Sequence, residues 1–313
     1  MITAKPWDGE VIAKTAFIAD MPMADYHGQP CEGPSISSSG LRTIWSRSPA
    51  HYYLDSSLNP HREEAVDRPH FTLGRAAHHL LLQGRKGFDA EYVTRPEQWS
   101  DWRTNAAKEW RAEQIAAGMT IITDKELDAI AGMARSLAAH PLVKHGILDG
   151  QVERSMFWRD PETGVWCKSR PDAIPGFSGD YSDLKTTVSV STDALQRTMA
   201  DYGYHQQGAL VAEASRHVLG RELETFSFVW VEKEAPWCVR VTTLRAEDLV
   251  RGSMQNAAAL REFAACVAAD HWPGPGGDQS DGEILPIAEW AVKRIDARLE
   301  ELKQTTPYQH AAE

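Results

Sequence analysis

Arg170-Pro171-Asp172-Ala173-Ile174-Pro175, with Asp183-Leu184-Lys185-Thr186-Thr187 beginning eleven residues after Asp172, is the stretch on which the reading of this chain turns. Pro175-Gly176 marks a turn between two segments whose composition favours strands. On a strand, residues i and i+2 face the same side, so Asp183 and Lys185 project together. If the segment before the turn pairs with the one after it, Asp172 comes to lie beside them. Two carboxylates converging on one point repel unless a proton or cation sits between them, and hard oxygen ligands favour Mg²⁺ or Mn²⁺. A neighbouring lysine can orient an attacking water or stabilise developing negative charge, as hydrolysis of a phosphodiester requires. The plainer alternative makes Asp172 a turn cap and Asp183 and Lys185 an exposed cross-strand ion pair, for a lone D-x-K is common.

Working outward, Gln151 to Arg159, Val165 to Ile174 and Asp180 to Thr187 are short segments rich in Val, Trp, Phe and Tyr, and they predict a three-stranded meander. Downstream lie a helical stretch from Asp193 to Leu219, strands at Phe226 to Val231 and Cys238 to Thr243, and a long helix from Ala246 to Ala269. Upstream, Ser37-Ser38-Ser39 opens a short helix, a buried helix runs from His70 to Leu82 and ends near Gly84, and two more cover 104–117 and 123–139. Thr123 and Glu126 form a capping box for the last of these. This order implies an α/β core with a mixed central sheet flanked by helices, preceded by an N-terminal helical region. Residues 1–36 read as an irregular N-terminal arm, 37–272 as the main domain and 273–283 as a Pro/Gly-rich linker. In 284–313, Ile284, Ile287, Ala291, Ile295, Leu299 and Leu302 recur at helical spacing, an amphipathic helix able to dock on the domain or on another subunit.

The 313 residues, 42% hydrophobic and 25% charged, place the chain among globular proteins. No window approaches the roughly 18 apolar residues of a membrane span, and the N-terminus lacks a secretory apolar core, so a cytoplasmic protein is expected. The net charge is −11, but residues 1–36 and 270–313 together hold −8 of it, and 37–118 carry eleven basic against ten acidic residues. Acidity overall therefore does not exclude a nucleic-acid substrate. Cys31, Cys167, Cys238 and Cys266 lie far apart, which argues against a zinc ribbon or disulfide scaffold. There is no G-x-x-x-x-G-K-[ST], hence no ATP-driven motor, and neither H-E-x-x-H nor G-x-S-x-G occurs.

Three further groups are candidates. His78 and His79 sit in an otherwise apolar helix, where an imidazole is either a hydrogen-bonded core residue or a metal ligand. Tyr204-His205-Gln206-Gln207 follows the Asp183 strand and could hold a phosphate or base edge, or be simple polar helix surface. Trp99, Trp102, Arg103, Lys108 and Arg111 form an aromatic-basic cluster that could touch DNA or be a solvated helix face.

Taken together, GRAAHHLLL, RPDAIP, YSDLKTT and YHQQGAL, with the earlier SSSGLR and later FVWVEKEAPW, resemble the PD-(D/E)xK nucleases. Within them they resemble the RecE-like exodeoxyribonuclease VIII group of phages and prophages, over about Ile36 to Trp272. The resemblance implies a restriction-endonuclease-like core in which His78, Asp172, Asp183 and the main-chain carbonyl of Leu184 bind Mg²⁺, Lys185 assists the water and Gln207 follows on a helix. It further implies degradation of one strand from 5′ ends of duplex DNA to leave 3′ overhangs, a ring-forming homo-oligomer and a single-strand annealing protein as partner. Tyr204, Arg103 and Lys108 join Gln207 as substrate-binding candidates, and Glu153 is similar to an acidic position recurrent in relatives. RecB-like members often read Q-x-x-x-Y, but Val211 stands four residues after Gln207, so that tyrosine's role is absent or falls to Tyr204. The dispersed cysteines do not match the iron-sulfur pattern of Cas4-like and AddB-like cousins. A structure-specific endonuclease and a non-catalytic DNA-binding protein remain the alternatives.

Overall fold

The structure is a computed structural model that describes residues 3–63, 69–99 and 101–305. β1 (Lys5–Pro6) and β2 (Ala16–Ala19) precede a short α1 (Met23–His27), and β3 (Ser35–Ser37) runs directly into α2 (Ser38–Ser46) and α3 (Pro49–Asp55). A largely helical region follows: α4 (Pro69–His78), a π-helical turn (His79–Gln83), α5 (Gly84–Glu91), β4 (Tyr92–Thr94), α6 (Asn105–Ala116), β5 (Thr120–Ile122), α7 (Asp124–Ala139) and α8 (Pro141–Lys144). Next come β6 (Gln151–Val152), β7 (Ser155–Arg159), β8 (Trp166–Ser169), β9 (Ala173–Ile174) and β10 (Asp180–Thr187). The helices α9 (Thr192–Asp201) and α10 (Tyr204–Ala214), with a π-helical last turn (Ser215–Leu219), cross to β11 (Thr225–Glu232), β12 (Val239–Thr243) and α11 (Ala246–Ala269). These elements form one compact unit ending at Pro275; α12 (Glu289–Thr305) belongs to a second unit, 276–313.

Where the sequence predicts one meander, the chain builds two five-stranded sheets, β1-β2-β7-β8-β3 and β12-β11-β10-β9-β6. Each of the first two predicted strands breaks in its middle. Glu153 takes a left-handed φ of 49° between β6 and β7, and Arg170-Pro171-Asp172 separates β8 from β9. Proline has no N–H to give a ladder, so pairing stops there. The outer halves pair as the β7–β8 hairpin of the first sheet, while β6 and β9 join β10 in the second. Glu153 N–H donates to the Asp172 carbonyl (3.1 Å), clasping the two crossing points together. Residues read as an arm supply β1, β2 and β3, because Ala16-Phe17-Ile18-Ala19 is a buried apolar run too short to show a period.

The second sheet is mixed: β10 runs parallel to β11, with Asp183 opposite Phe228 and Lys185 opposite Trp230, and β12 and β9 are antiparallel. Along β11 the side chains alternate. Phe226, Phe228 and Trp230 enter a core shared with Leu41 of α2, Leu210 of α10 and Phe263 of α11. Val229 and Val231 enter a second core with Leu184, Ala76 and Ala77 of α4 and Ile130 of α7. The predicted helix from 193 to 219 is interrupted at Gly203, whose left-handed φ of 60° turns the chain from α9 into α10. The predicted capping box of α7 forms, whereas Ser37 caps α2 without a side-chain bond to the helix. In the second unit the helix begins at Glu289 rather than 284, since Pro286 disfavours helical backbone before it. Among the described residues no helix is long and apolar enough to cross a membrane.

Candidate active site

Pairing of β9 with β10 (Ala173 opposite Ser182) brings Asp172 alongside Asp183-Leu184-Lys185. Asp172 Oδ2 accepts the Leu184 N–H at 2.6 Å, so this carboxylate takes over where the β9 ladder ends. In a strand a residue's N–H and C=O leave on the same side, so the Leu184 carbonyl faces the same edge. The His78 ring, brought in by the end of α4, meets that carbonyl and stands 3.5 Å from Asp172 Oδ2. On the other face, Asp183 is ion-paired with Lys185 and accepts the Gln207 side-chain amide at 2.6 Å. Tyr204, one turn before Gln207 on α10, lies under Lys185 with the ammonium 5.0 Å from its ring centre.

Burial sets the electrostatics. Asp172 is held well above the usual carboxylate range, first by burial and then by the charge of Asp183. Burial pulls Lys185 down, but Asp183 and Asp172 together leave its pKa above the ordinary lysine value. Burial and the Lys185 charge depress His78, which favours the neutral imidazole that ligates metals. Glu153 feels both His78 and Asp172, so it stands within electrostatic reach of the pair.

A model of a PDDEXK-like domain of unknown function (DUF3799) matches residues 37–280. The chain belongs to that family. The matched span contains Pro171-Asp172 and Asp183-Leu184-Lys185. A crystal structure of a Eubacterium rectale protein, provisionally described as an exonuclease, matches with a TM-score of 0.55 and 16% identity over 88% of this chain and 98% of that one. At that identity the likeness shows the fold. No curated protein matches the chain.

PDDEXK nucleases generally work with a divalent metal, and the donors here suit one in chemistry: two carboxylates, a main-chain carbonyl and an imidazole. The charge of Asp183 raises the pKa of Asp172, a repulsion that a hard cation held by both would relieve. Among the described residues no three His, Cys, Asp or Glu side chains are already closed round one point, because Asp183 is turned to Lys185 and Gln207.

The sequence leaves His78 and His79 open, and this DUF3799 domain separates them. His79 Nδ1 faces Glu91 at 3.2 Å and its ring packs on Tyr92, away from the carboxylates. Arg103 pairs with Asp101 and Lys108 is exposed on α6, so both stand on the helical region rather than on the site-bearing sheet. Trp102 of the predicted aromatic-basic cluster stacks near Trp110, with Arg95 and Arg111 over its ring. Arg42 of α2 closes the SSSGLR stretch, and the sequence alone assigns it no role of its own. Its guanidinium donates to the Tyr202 carbonyl (2.6 Å), lies over Tyr204 on top of the α9–α10 junction, and feels the charge of Asp183. No local pattern could reveal it, since 160 residues separate it from Tyr202.

Proposed function

We propose that this PDDEXK-like chain is a divalent-metal-dependent deoxyribonuclease acting as an exonuclease on linear duplex DNA. In this reading it removes one strand from the 5′ end and leaves a 3′ single strand for recombination. The observation that carries the nuclease reading is the gathering of Asp172, His78 and the Leu184 main chain where β9 leaves β10, with Asp183 and Lys185 on the neighbouring face of that strand. Polarity, product, a ring-shaped homo-oligomer and a single-strand annealing partner rest on the resemblance to RecE-like exonucleases.

When bound, Mg²⁺ supplies charge that stabilises the phosphoryl oxygens of the scissile bond. Asp172, Asp183, His78 and the Leu184 carbonyl are the groups that would hold it. Lys185, whose pKa Asp183 and Asp172 hold above the ordinary lysine value, would position the attacking water or help deprotonate it, and offset charge on the phosphate. Gln207 holds the Asp183 carboxylate in one rotamer, and the Tyr204 ring steadies the ammonium. Glu153 contributes negative potential beside His78 and Asp172, which favours a cation there.

The deciding experiment digests linear duplexes labelled at either the 5′ or the 3′ end, beside covalently closed circles, with Mg²⁺ and with EDTA. Metal-dependent loss of the 5′ label from linear DNA alone, leaving a 3′ strand, is the expected result. Cutting of the circle would replace the exonuclease with an endonuclease, and no cleavage with any divalent metal would overturn the nuclease reading.

A further inference from the structure

A cavity of about 170 Å³ lies between the β3–α2 corner and β8. That is below the roughly 300 Å³ of sites that enclose a whole small molecule, so it suits one polar group of a larger ligand. Ser37, Ser39, Thr43 and Ser57 line it with hydroxyls, and Lys168 and His27 with nitrogen.

Lys168 is the unexpected member. It sits on a strand whose other residues are all buried, and it is itself only 3% exposed. Its ammonium donates to the Gly28 carbonyl at 2.7 Å and lies 5.5 Å from the Tyr26 ring centre. An ammonium has three protons to give, and no carboxylate among the described residues is within ion-pair distance of this one. A buried cation without a counter-charge is costly, and a fold that needed only packing at this position would be better served by an apolar side chain.

The surroundings add to the positive field. His27 is depressed by burial and then by three cations, Lys168, Arg170 and Arg75. On the opposite wall Ser37 and Ser39 bond each other at 3.0 Å, and the first-turn N–H groups of α2 have no side-chain cap. The lining acid, Asp55, is exposed at the C-terminal end of α3. The cavity is linked electrostatically to the candidate active site, since His27 feels Arg75 and Arg170, and Arg170 feels Glu153. Lys168 precedes Asp172 by four positions on the same segment, and Arg75 stands one turn before His78 on α4.

We infer that this cavity receives the terminal phosphate of a DNA strand, with Lys168, the serine hydroxyls and the start of α2 as its donors. The inference rests on the nuclease reading for the identity of the ligand, and its test separates the two. Seated there, a strand end would have its neighbouring phosphodiester delivered toward Asp172 and Asp183, so the cavity would measure out from the end where cleavage falls.

The test uses the full chain and short blunt duplexes carrying either a 5′-phosphate or a 5′-hydroxyl. Binding is measured in EDTA, where no metal-dependent cleavage runs, and cleavage is measured with Mg²⁺. The 5′-phosphate duplex is expected to bind about tenfold more tightly, the net scale of one hydrogen bond to a charged group, and inorganic phosphate should erode that advantage. Lys168→Met and the double substitution Ser37→Ala with Ser39→Ala should each bring the ratio toward one. The serine pair is only partly buried, so it keeps the test open if the lysine variant fails to fold. Equal affinity for the two ends, or an advantage that survives both variants, overturns the inference. Cleavage without end discrimination leaves the nuclease standing and removes the phosphate cavity; discrimination in EDTA without cleavage does the reverse.

Discussion

Lys185 and Lys168 are both buried ammonium groups, and their surroundings set them opposite tasks. Lys185 is matched by Asp183 and Asp172 and stays charged, so removing its partner should disable the site without dismantling it. Asp183→Asn is expected to lower the cleavage rate by about 10³-fold or more while DNA binding in EDTA persists; unchanged cleavage by a contaminant-free preparation would refute the assignment. Lys168 has no such partner, and burial brings its pKa down to about 8 from an ordinary 10.5. The unfolded chain therefore binds more protons than the folded one between those values, and stability rises with pH across that window. The charged amine costs roughly 3 kcal/mol below it, by the size of the shift. Urea unfolding of wild type and Lys168→Met at pH 7 and pH 10 should show the wild type gaining relative to the variant at the higher pH. A constant difference would mean that the ammonium is not desolvated. Asp172, Asp183 and Lys185 were legible in the sequence because a strand's period of two and one proline-glycine turn suffice to bring them together. His78 could not be told from His79 by sequence, because helix rotation separates them only once Glu91 and Tyr92 are in place to take the second ring.

At the scale of elements, the first turn of α10 organises the site, and Gly203 makes that turn possible. Its φ of 60° is left-handed, and a Cβ there would press on Arg42 Cδ at 3.2 Å and on the Gln206 amide. Gly203→Val should therefore cost about 1–2 kcal/mol for the backbone alone. It should also shift Tyr204 and Gln207 away from Lys185 and Asp183, so that cleavage falls by more than the loss of folded protein explains. Comparing the change in Tm with the rate per folded molecule tests this, and proportional loss of the two would mean that the turn is only structural. The crossover itself was legible as a helical stretch between two strands, and so was α7, whose capping box is local. The division of the meander was not. It depends on Glu153 taking a left-handed conformation and on Arg170 binding Ser155 and the Met21 carbonyl, contacts that only the folded N-terminal segment provides. That segment hid its strands for the same reason, since β1 and β2 are too short to show alternation and are made strands by their neighbours.

For the whole molecule the question is what the second unit adds. The unit ending at Pro275 contains both hydrophobic cores that sandwich the site-bearing sheet, and every residue assigned to the site or the phosphate cavity. α12 carries Val292, Ile295, Leu299 and Leu302 along one stripe, with Lys293, Arg294, Glu300 and Glu301 between them. A single helix cannot bury its own stripe, so these residues gain from a partner surface. If the protein assembles as a ring, this helix is the element best suited to contribute apolar contact between copies, and cleavage of a bound strand does not depend on it chemically. A chain ending at Pro275 should then fold with a Tm close to that of the full chain and retain metal-dependent cleavage of short duplexes. Its mass by light scattering should be lower at the same concentration, and its products on long DNA shorter-lived in association, because an open protomer lets go where a closed ring cannot. Loss of folding on truncation would show that α12 is part of the core unit's stability, and an unchanged oligomer mass would show that the stripe serves something other than self-association.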